Sequence, residues 1–439
     1  MGKDESSPTR LPVVEPFPAG PREADGSKDE RQTTAPSSPE PGTAVRKLPA
    51  IDGGMVAWLQ VSSAFALYWN SLGLLNSFGA FQTYYETTLL KNDSSSAIAW
   101  IGSVQVFFLM AGGVIFGPLY DLGYARSMLI TGTFLVVFGF MMTSISTQYY
   151  QFLLAQGFCV GIGSSCLYIV AITLVPAYFT ARRALAMGVA TVGSSLGATI
   201  SPLIFESLKP RIGFPWTVRA IGFVNLAMSC YAVIVARPRT KGAKTLITKN
   251  NSLKEIVEIA GLLNSRYMIQ SYAQSHGMEG ASLAKYLLVI LNAVGIPGRI
   301  VPSLVADRFG LLNTYIGICT VTAITIFYWI SVNNTAGNMA FAVLYGFFCA
   351  SVVTLAPVVL ASITDDLGIL GTRLGFVAVL KGIGSLIGPP IAGAILGSTG
   401  SYLGAQLFTG LSMSLTVVFA AYLRVLISRR KVESLETDS

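Results

Sequence analysis

The sequence predicts an all-α protein that crosses a membrane many times. Hydrophobic residues make up 52% of its 439 residues and charged residues only 12%. A soluble domain with that mixture would expose too much apolar surface. Apolar runs of about 20 residues, long enough for a helix to cross the hydrocarbon core of a bilayer, recur throughout the chain after residue 55. A polytopic membrane protein is therefore expected.

Eleven clear spans are predicted after a polar N-terminal tail. The spans lie at about 55–81, 97–119, 127–146, 150–176, 184–205, 216–236, 282–305, 312–332, 338–363, 371–397 and 401–427. Residues 1–50 are rich in Pro, Ser, Asp, Glu and Lys, so they cannot bury enough apolar surface to fold and are predicted to be disordered. No cleavable signal peptide is expected, because no short apolar run follows a basic segment before residue 55.

The basic residues predict the orientation of the spans. They collect at Arg46, Lys47, Arg126, Arg182, Arg183, the run 237–249, Arg308, Arg373 and 429–431. By the positive-inside rule these borders face the cytosol, which places both termini there, with the plasma membrane as the expected location. The net charge of +8 is then explained by topology, and no nucleic-acid partner is expected. Sequons at Asn92 and Asn333 fall on the opposite side and are candidate glycosylation sites.

Two cytosolic termini require an even number of crossings, so one crossing is missing from the eleven. The alternation of charged borders places it between Lys249 and about Ser282. The segment 253–270 there carries Lys254, Glu255, Glu258 and Arg266. Each of these charges is costly at the centre of a bilayer. Either the segment is a short, assisted crossing, or an apolar stretch of about 20 residues has been lost, and loss is the favoured interpretation.

The expected organisation is two helical bundles joined by a basic linker. It comprises a cytosolic tail over 1–50, an N-terminal six-helix bundle over 51–236, a cytosolic linker over 237–252, a C-terminal bundle over 253–428 with a defective first helix, and a cytosolic tail over 429–439. The GxxxG pairs Gly157–Gly161, Gly193–Gly197 and Gly384–Gly388 are expected to let helices pack closely. The five cysteines all fall inside spans and are expected to be buried.

Two similar loops mark corresponding positions in the two halves. GPLYDLGYAR at 117–126 joins spans two and three, and PSLVADRFG at 302–310 joins the matching pair. In each loop the aspartate can cap the next helix, while the arginine meets helix carboxyl ends. This duplicated loop resembles motif A of the major facilitator superfamily, whose two six-helix halves are related by an axis along the membrane normal.

Further motifs extend the resemblance to the monocarboxylate-porter family and its fungal branch. Asp52-Gly53-Gly54 followed by Trp58, and YFTARRALAMGVATVGSSLG at 178–197, are similar to that family's signatures. NSFGAFQTYYE at 76–86 and SYAQSHG at 271–277 resemble the fungal branch. The resemblance covers 51–430 and implies a full seventh span before SYAQSHG, where this chain has only the weak 253–270.

Arg299 is the leading candidate for contact with a transported solute. Counted from a span start near 284, it lies about 22 Å along the helix, in the cytosolic half of the bilayer. Charges inside a membrane usually face the transport pathway, although pairing with a buried carboxylate or snorkelling to the interface remains open. The resemblance implies the functional role, because monocarboxylate porters hold a carboxylate with an arginine at the matching position of their eighth span.

Two positions depart from the monocarboxylate-porter pattern. That family has an aspartate one turn before the arginine, where this chain has Gly295, and an essential lysine late in span one, where this chain has Asn76. The residues that would couple lactate-type transport to a proton are therefore not in place, and simple proton–monocarboxylate symport is not favoured.

Other polar residues are candidates to line the same cavity. They are Lys381, Asn70, Asn76, Tyr168 and Ser351. For the uncharged ones, hydrogen bonding between helices is the alternative role. Because no acidic residue lies deep in any span, the cavity is expected to be net positive, and an anionic or polar organic solute fits best.

The sequence therefore predicts a secondary transporter of a small, carboxylate-like organic anion that works by alternating access as a monomeric unit in the bilayer. The expected cytosolic latch consists of Asp121, Arg126, Arg182, Arg183, Asp307 and Arg308. An exporter of a secondary metabolite or drug is the alternative within transport, and a transport-inactive sensor is the alternative outside it. No Walker A sequence, nucleophile–base pair or metal cluster is apparent, so neither an enzyme nor a cofactor is predicted.

Overall fold

The computed structural model describes residues 53–239, 281–332, 334–364, 367–399 and 401–437. Within these ranges the secondary structure is helical and contains no strand, as the sequence predicts. The predicted tail 1–50, the segment 253–270, most of the linker 237–252, and the residues Asp52 and Asn333 lie outside the described residues.

The N-terminal half contains nine α-helices and three π-helical segments in the described ranges. Helices α1 to α9 are Met55–Tyr68, Leu74–Asn76, Phe78–Tyr84, Ser95–Ala111, Gly113–Asp121, Ala125–Ile145, Tyr149–Phe152, Gly161–Leu174 and Arg183–Val235. The π-helical segments are Trp69–Gly73, Tyr85–Leu89 and Leu153–Val160. Trp69–Gly73 interrupts the first predicted span and Leu153–Val160 interrupts the fourth, whereas Tyr85–Leu89 follows the first span.

The described part of the C-terminal half contains five α-helices. Helices α10 to α14 are Ala281–Phe309, Leu311–Ile330, Thr335–Ser362, Leu370–Thr399 and Leu403–Thr437. A short 3-10 turn, Leu367–Ile369, precedes α13.

Helix covers each of the predicted spans, but the count of eleven is not confirmed. Among the described residues, eight helices are long and apolar enough to cross a membrane. The first predicted span is divided into short pieces by the π-helical segment Trp69–Gly73 and by a break at Ser77. Spans five and six lie on either side of a break at Gly213, where φ is +75°, and the two helical parts together make up the range Arg183–Val235 that we label α9. Glycine adopts that left-handed conformation at little cost. Helix α13 is not among the eight.

Local sequence explains where several helices begin. Ser94 caps α4 by accepting a hydrogen bond from the Ala97 amide at 3.2 Å, and Asn334 caps α12 by accepting one from the Gly337 amide at 2.7 Å. The chain enters α1 through two glycines with positive φ, Gly53 at +137° and Gly54 at +84°. Larger residues are disfavoured in that region.

The signature residue Trp58 connects α1 to the loop that precedes α9. Its ring meets the ring of Phe179 edge to face, with the centroids 5.5 Å apart. Two residues further along α1, the Gln60 side chain accepts a hydrogen bond from the Arg237 amide at 2.7 Å. The start of the first span is thereby tied to both ends of α9.

Glycines bring the backbones of α1 and α9 into contact. A Cβ atom on Gly193 would lie 2.0 Å from the Phe65 carbonyl oxygen, and one on Gly197 would lie 3.1 Å from the Gly73 Cα. Gly161 similarly packs on the backbone of Gln105, at 3.1 Å. The predicted packing role of the Gly157–Gly161 and Gly193–Gly197 pairs is confirmed.

The cysteines follow the prediction with one clear exception. Cys166, Cys319 and Cys349 are buried and Cys159 is partly buried, but Cys230 is exposed. The expectation that all five are buried is therefore wrong at Cys230. Apolar character inside a predicted span does not distinguish a residue on the outer face of the helices from one in their interior.

Replacing Gly193 by Ala should destabilise the protein. The added methyl group would press on the Phe65 carbonyl, which belongs to a helix and cannot move without shifting α1. Overpacking of this kind costs on the order of 1–3 kcal/mol, so thermal unfolding in detergent should occur at a lower temperature. Gly317→Ala is the matched control, since nothing lies within 4 Å of a Cβ at that position. Equal unfolding temperatures for Gly193→Ala and the unmodified protein would contradict the packing account.

Candidate functional site

The two halves meet chiefly where α13 packs on α4 and α5 and where α10 packs on α9, with a smaller contact between α9 and α12. Below, the α5–α13 contact is the first pair and the α9–α10 contact is the second. In the first pair Gly117 and Gly371 touch: a Cβ on Gly117 would lie 2.4 Å from the Gly371 carbonyl oxygen. In the second pair a Cβ on Gly188 would lie 2.5 Å from the Arg299 carbonyl oxygen. We call this contact the seam, and we call the end of it that carries Asp121 and Asp307 the latch end. The halves are in direct backbone contact there.

Asp121, the last residue of α5, caps a helix of the opposite half. Its carboxylate accepts hydrogen bonds from the Gly371 amide at 2.9 Å, the Thr372 amide at 2.6 Å and the Thr372 hydroxyl at 2.6 Å. The first amides of a helix lack acceptors within the helix, and a negative charge is favourable at that end. The side chain is 4% exposed, so little water competes for these bonds.

Asp307 makes the reciprocal contact. It lies on α10 and accepts hydrogen bonds from the Ala184 amide at 3.1 Å and the Leu185 amide at 2.9 Å, at the start of α9. Arg182, just before α9, adds a favourable electrostatic interaction. Each half therefore caps a helix of the other half with an aspartate from the corresponding loop.

The expectation that each aspartate caps the next helix along the chain is wrong. Helix α6 begins after Tyr124 and α11 begins after Gly310, and neither helix has a side-chain cap. Asp121 and Asp307 lie in the last turn of the preceding helices, so their carboxylates face the seam instead of the following turn.

Arg183 of the predicted latch also joins the two halves. Its guanidinium donates to the carbonyl oxygens of Phe179 at 2.9 Å, Ala361 at 3.1 Å and Pro176 at 3.4 Å. Ala361 lies in the last turn of α12, where a cation is stabilised by the helix dipole. Arg126, Arg182 and Arg308 have exposed side chains.

A small cavity opens beside Asp121 at the latch end. It is lined by residues of both halves, including Tyr120, Thr173, Arg239 and Leu370. The Arg239 guanidinium lies 4.5 Å from the centroid of the Tyr178 ring. Arg239, which the sequence assigns to a solvated linker, thus packs against the latch.

Arg299 lies further along the seam, buried between the two halves. It is 2% exposed and precedes Asp307 by eight residues, about 12 Å along α10. Its Nε donates to the Ser195 hydroxyl at 2.9 Å, and one terminal nitrogen donates to the Thr354 hydroxyl at 3.0 Å. Ser195 belongs to α9 and Thr354 to α12, so the guanidinium binds one hydroxyl from each half.

Two tyrosines and a threonine complete this central cluster, which we define as Arg299, Ser195, Thr354, Thr191, Tyr68 and Tyr168. The Thr191 and Thr354 hydroxyls lie 3.1 Å apart across the seam. Tyr68 and Tyr168 lie within electrostatic range of Arg299, and their rings meet edge to face with centroids 6.1 Å apart. A guanidinium amid hydroxyls can bind an anion through charge-assisted hydrogen bonds.

The structure brings some of the predicted site residues together and places others elsewhere. Arg299 and Tyr168 lie in the central cluster. Ser351, one turn before Thr354, donates to the Gly298 carbonyl and joins α12 to α10. Asn70 donates to the Asn225 carbonyl at 3.0 Å and to the Ser229 hydroxyl at 2.7 Å, so it links the first π-helical segment to α9. Asn76 and Lys381 are partly buried.

Sequence reasoning missed four members of the cluster: Tyr68, Thr191, Ser195 and Thr354. One signal was available for two of them. Thr191 and Ser195 are four residues apart, which places two hydroxyls on one face of a predicted span. The pairing with Arg299 could not be predicted from that spacing, because it depends on how the halves meet.

The chain is similar in sequence to known transporters. Residues 55–335 match the sequence model of the Major Facilitator Superfamily. The MFS-type transporter dbaD of Emericella nidulans is 38% identical over 356 residues, which cover 79% of this chain and 80% of that protein. The aspyridones efflux protein apdF of Emericella nidulans is 36% identical over 407 residues, covering 90% of this chain and 82% of that protein.

A solved transporter has the same fold. The crystal structure of FucP, a Major Facilitator Superfamily transporter in the outward conformation, superposes with a TM-score of 0.64 at 16% identity. The match covers 84% of this chain and 98% of FucP. At that identity the likeness concerns the fold alone.

Removing one latch aspartate should loosen the helix start that it caps. Asp121→Ala leaves the Gly371 and Thr372 amides without their acceptor, and Asp307→Ala does the same to Ala184 and Leu185. Loss of a cap costs about 1 kcal/mol, so hydrogen–deuterium exchange should accelerate roughly fivefold at the uncapped amides. Each variant is the control for the other, since the cap that remains should exchange as in the unmodified protein. Unchanged exchange at both sites would contradict the capping assignment.

Proposed function

The chain belongs to the Major Facilitator Superfamily, and from that membership we propose that it exports a small organic anion by alternating access to the central cluster. Major facilitator transporters have two halves that rock about a site near the bilayer midplane. The central cluster lies at the seam between the halves, where a solute bound to it would contact both of them.

The observation that carries the proposal is the bonding of Arg299. It donates to the Ser195 and Thr354 hydroxyls, which are neutral acceptors from opposite halves. A carboxylate is a stronger acceptor, because hydrogen bonds between two charged groups are about twice as strong as neutral ones. An organic anion that enters the seam would therefore replace these hydroxyls on the guanidinium. Binding of the solute would release the contact that Arg299 makes with the other half.

Alternating access also requires the latch to open. Opening it gives up the caps made by Asp121 and Asp307 and the bond from Arg183 to Ala361. Helix α10 carries both Arg299 and Asp307, so a movement of this helix when the solute binds acts directly on the latch. The free energy for transport would come from a concentration gradient of the solute or of an ion.

We place the latch end at the cytosol, with both termini there and the protein in the plasma membrane. The support is the positive-inside rule: Arg126, Arg182, Arg237, Arg308 and Arg373 all lie near the helix ends that carry the latch. Asn92 is exposed in the loop before α4, on the side expected to face outward, and it remains a candidate for glycosylation.

Export is favoured over uptake because the relative apdF carries the name of an efflux protein. The cationic cluster favours an anionic metabolite as the solute. A transport-inactive sensor is the second candidate. It is favoured by the segment 253–270, whose Lys254, Glu255, Glu258 and Arg266 suit a seventh span poorly.

Transport of a simple aromatic anion tests the proposal. Proteoliposomes containing the full chain should exchange radiolabelled benzoate in a counterflow assay. Arg299→Gln should reduce this flux by a factor on the order of 30, because removing one partner of a buried charge-assisted contact costs about 2 kcal/mol or more.

Arg219→Gln is the matched control. Arg219 also donates its Nε to a serine, Ser144, at 3.0 Å, but that contact lies within the N-terminal half. Its variant should retain the flux of the unmodified protein. Absence of benzoate flux in the unmodified protein, or equal flux in Arg299→Gln, would overturn the proposal, and the first result would favour the transport-inactive alternative.

A further inference from the structure

We propose that the first residues of the linker form a strap that holds the latch closed, with Tyr178 and Arg239 as the residues that position it. The strap consists of residues 237–239. This role rests on the proposed function only in that transport requires the latch to open. It makes the linker a regulator of how often the latch opens, in addition to a connection between the halves.

The strap is fixed to the N-terminal half through its backbone. The Arg237 amide donates to the Gln60 side chain at 2.7 Å, and the Tyr178 hydroxyl donates to the Arg237 carbonyl oxygen at 2.6 Å. Tyr178 is 2% exposed, so little water competes for the second bond. The Arg237 side chain is exposed and takes no part in these two hydrogen bonds. The path of the strap is therefore set by Gln60 and Tyr178.

The side chain of Arg239 brings the strap to the border between the halves. Its guanidinium lies 4.5 Å from the centroid of the Tyr178 ring. It also lines the small cavity beside Asp121, together with Gly368 and Leu370 of the C-terminal half. Arg239 is half-buried, and a cation over an aromatic ring is stabilised more strongly as water is excluded from it. Tyr178 thus holds the strap at two points, one through its hydroxyl and one through its ring.

The same tyrosine lies in the loop that directs Arg183 across the seam. The Arg183 guanidinium donates to two carbonyl oxygens of this loop, those of Pro176 at 3.4 Å and Phe179 at 2.9 Å. These two residues flank Tyr178 along the chain. The third acceptor is the Ala361 carbonyl oxygen of the other half, at 3.1 Å. Because a guanidinium donates in a fixed planar arrangement, movement of the two loop carbonyls turns it away from Ala361. Anchoring of Tyr178 by the strap therefore favours the closed latch.

A purely local role is the alternative, in which the strap only ties the start of the linker to the N-terminal half. The caps that Asp121 and Asp307 make across the seam separate the two roles. Opening of the latch breaks both caps together. A local change beside Arg239 reaches only the Asp121 cap, and loosening of the loop 176–182 reaches only the Asp307 cap.

The experiment measures hydrogen–deuterium exchange of the capped amides in the purified full chain. Arg239→Gln removes the cation from the Tyr178 ring. Tyr178→Phe keeps the ring and removes the hydroxyl that binds the Arg237 carbonyl. Each variant should accelerate exchange at both caps about fivefold, the factor expected for the loss of one cation–π contact or one hydrogen bond. Arg239→Lys keeps a cation over the ring and should restore most of the protection.

Arg237→Gln is the matched control. It removes the same charge from the strap and leaves both backbone hydrogen bonds of residue 237 in place, so both caps should exchange as in the unmodified protein. Faster exchange at only one cap, or at neither, in folded Arg239→Gln would overturn the inference. Equal acceleration in Arg237→Gln would overturn it as well, because charge alone would then explain the effect.

Benzoate counterflow separates the strap from the function on which it rests. If the unmodified protein carries no benzoate but both caps respond to Arg239→Gln, the strap is supported and the proposed function fails. If benzoate flux is present and the caps do not respond, the strap alone is wrong. Thermal unfolding identifies a variant that has not folded, and the other of Arg239→Gln and Tyr178→Phe then carries the test.

Discussion

A guanidinium buried between two halves of a membrane protein is the constraint on which the rest of the structure depends. A cation in an apolar interior is tolerated only where polar groups meet it. For Arg299 these groups come from both halves: Ser195 from one, Thr354 from the other. The seam must therefore close tightly enough to bring the hydroxyls to the charge, and glycines such as Gly117 and Gly188 provide that close approach.

At the latch end of the seam, charged side chains of each half are again met by polar groups of the other half. Each half contributes one aspartate, and each aspartate satisfies the unpaired amides at the start of a helix in the other half. The charge of the carboxylate and the dipole of the helix stabilise the contact, yet only a few hydrogen bonds are lost when it opens. Because α10 carries both Arg299 and Asp307, the central cluster and the latch share a single helix.

The sequence predicted the helices well, because apolar runs of about 20 residues leave few alternatives. It also identified Arg299, since a charge inside such a run is rare. It failed where distant residues determine the contact. Asp121 caps a residue 250 positions away, and Ser195 meets Arg299 from 104 positions away. Apolar periodicity likewise gave no sign of the π-helical turns in the first and fourth spans.

The most direct measurement of the central claim is a crystal structure of the full chain with 4-bromobenzoate, whose bromine is located by anomalous scattering. The account predicts bromine density at the seam, with the carboxylate on the Arg299 guanidinium in place of the Ser195 or Thr354 hydroxyl. Bromine density remote from the seam, with both hydroxyls still bound to Arg299, would contradict it.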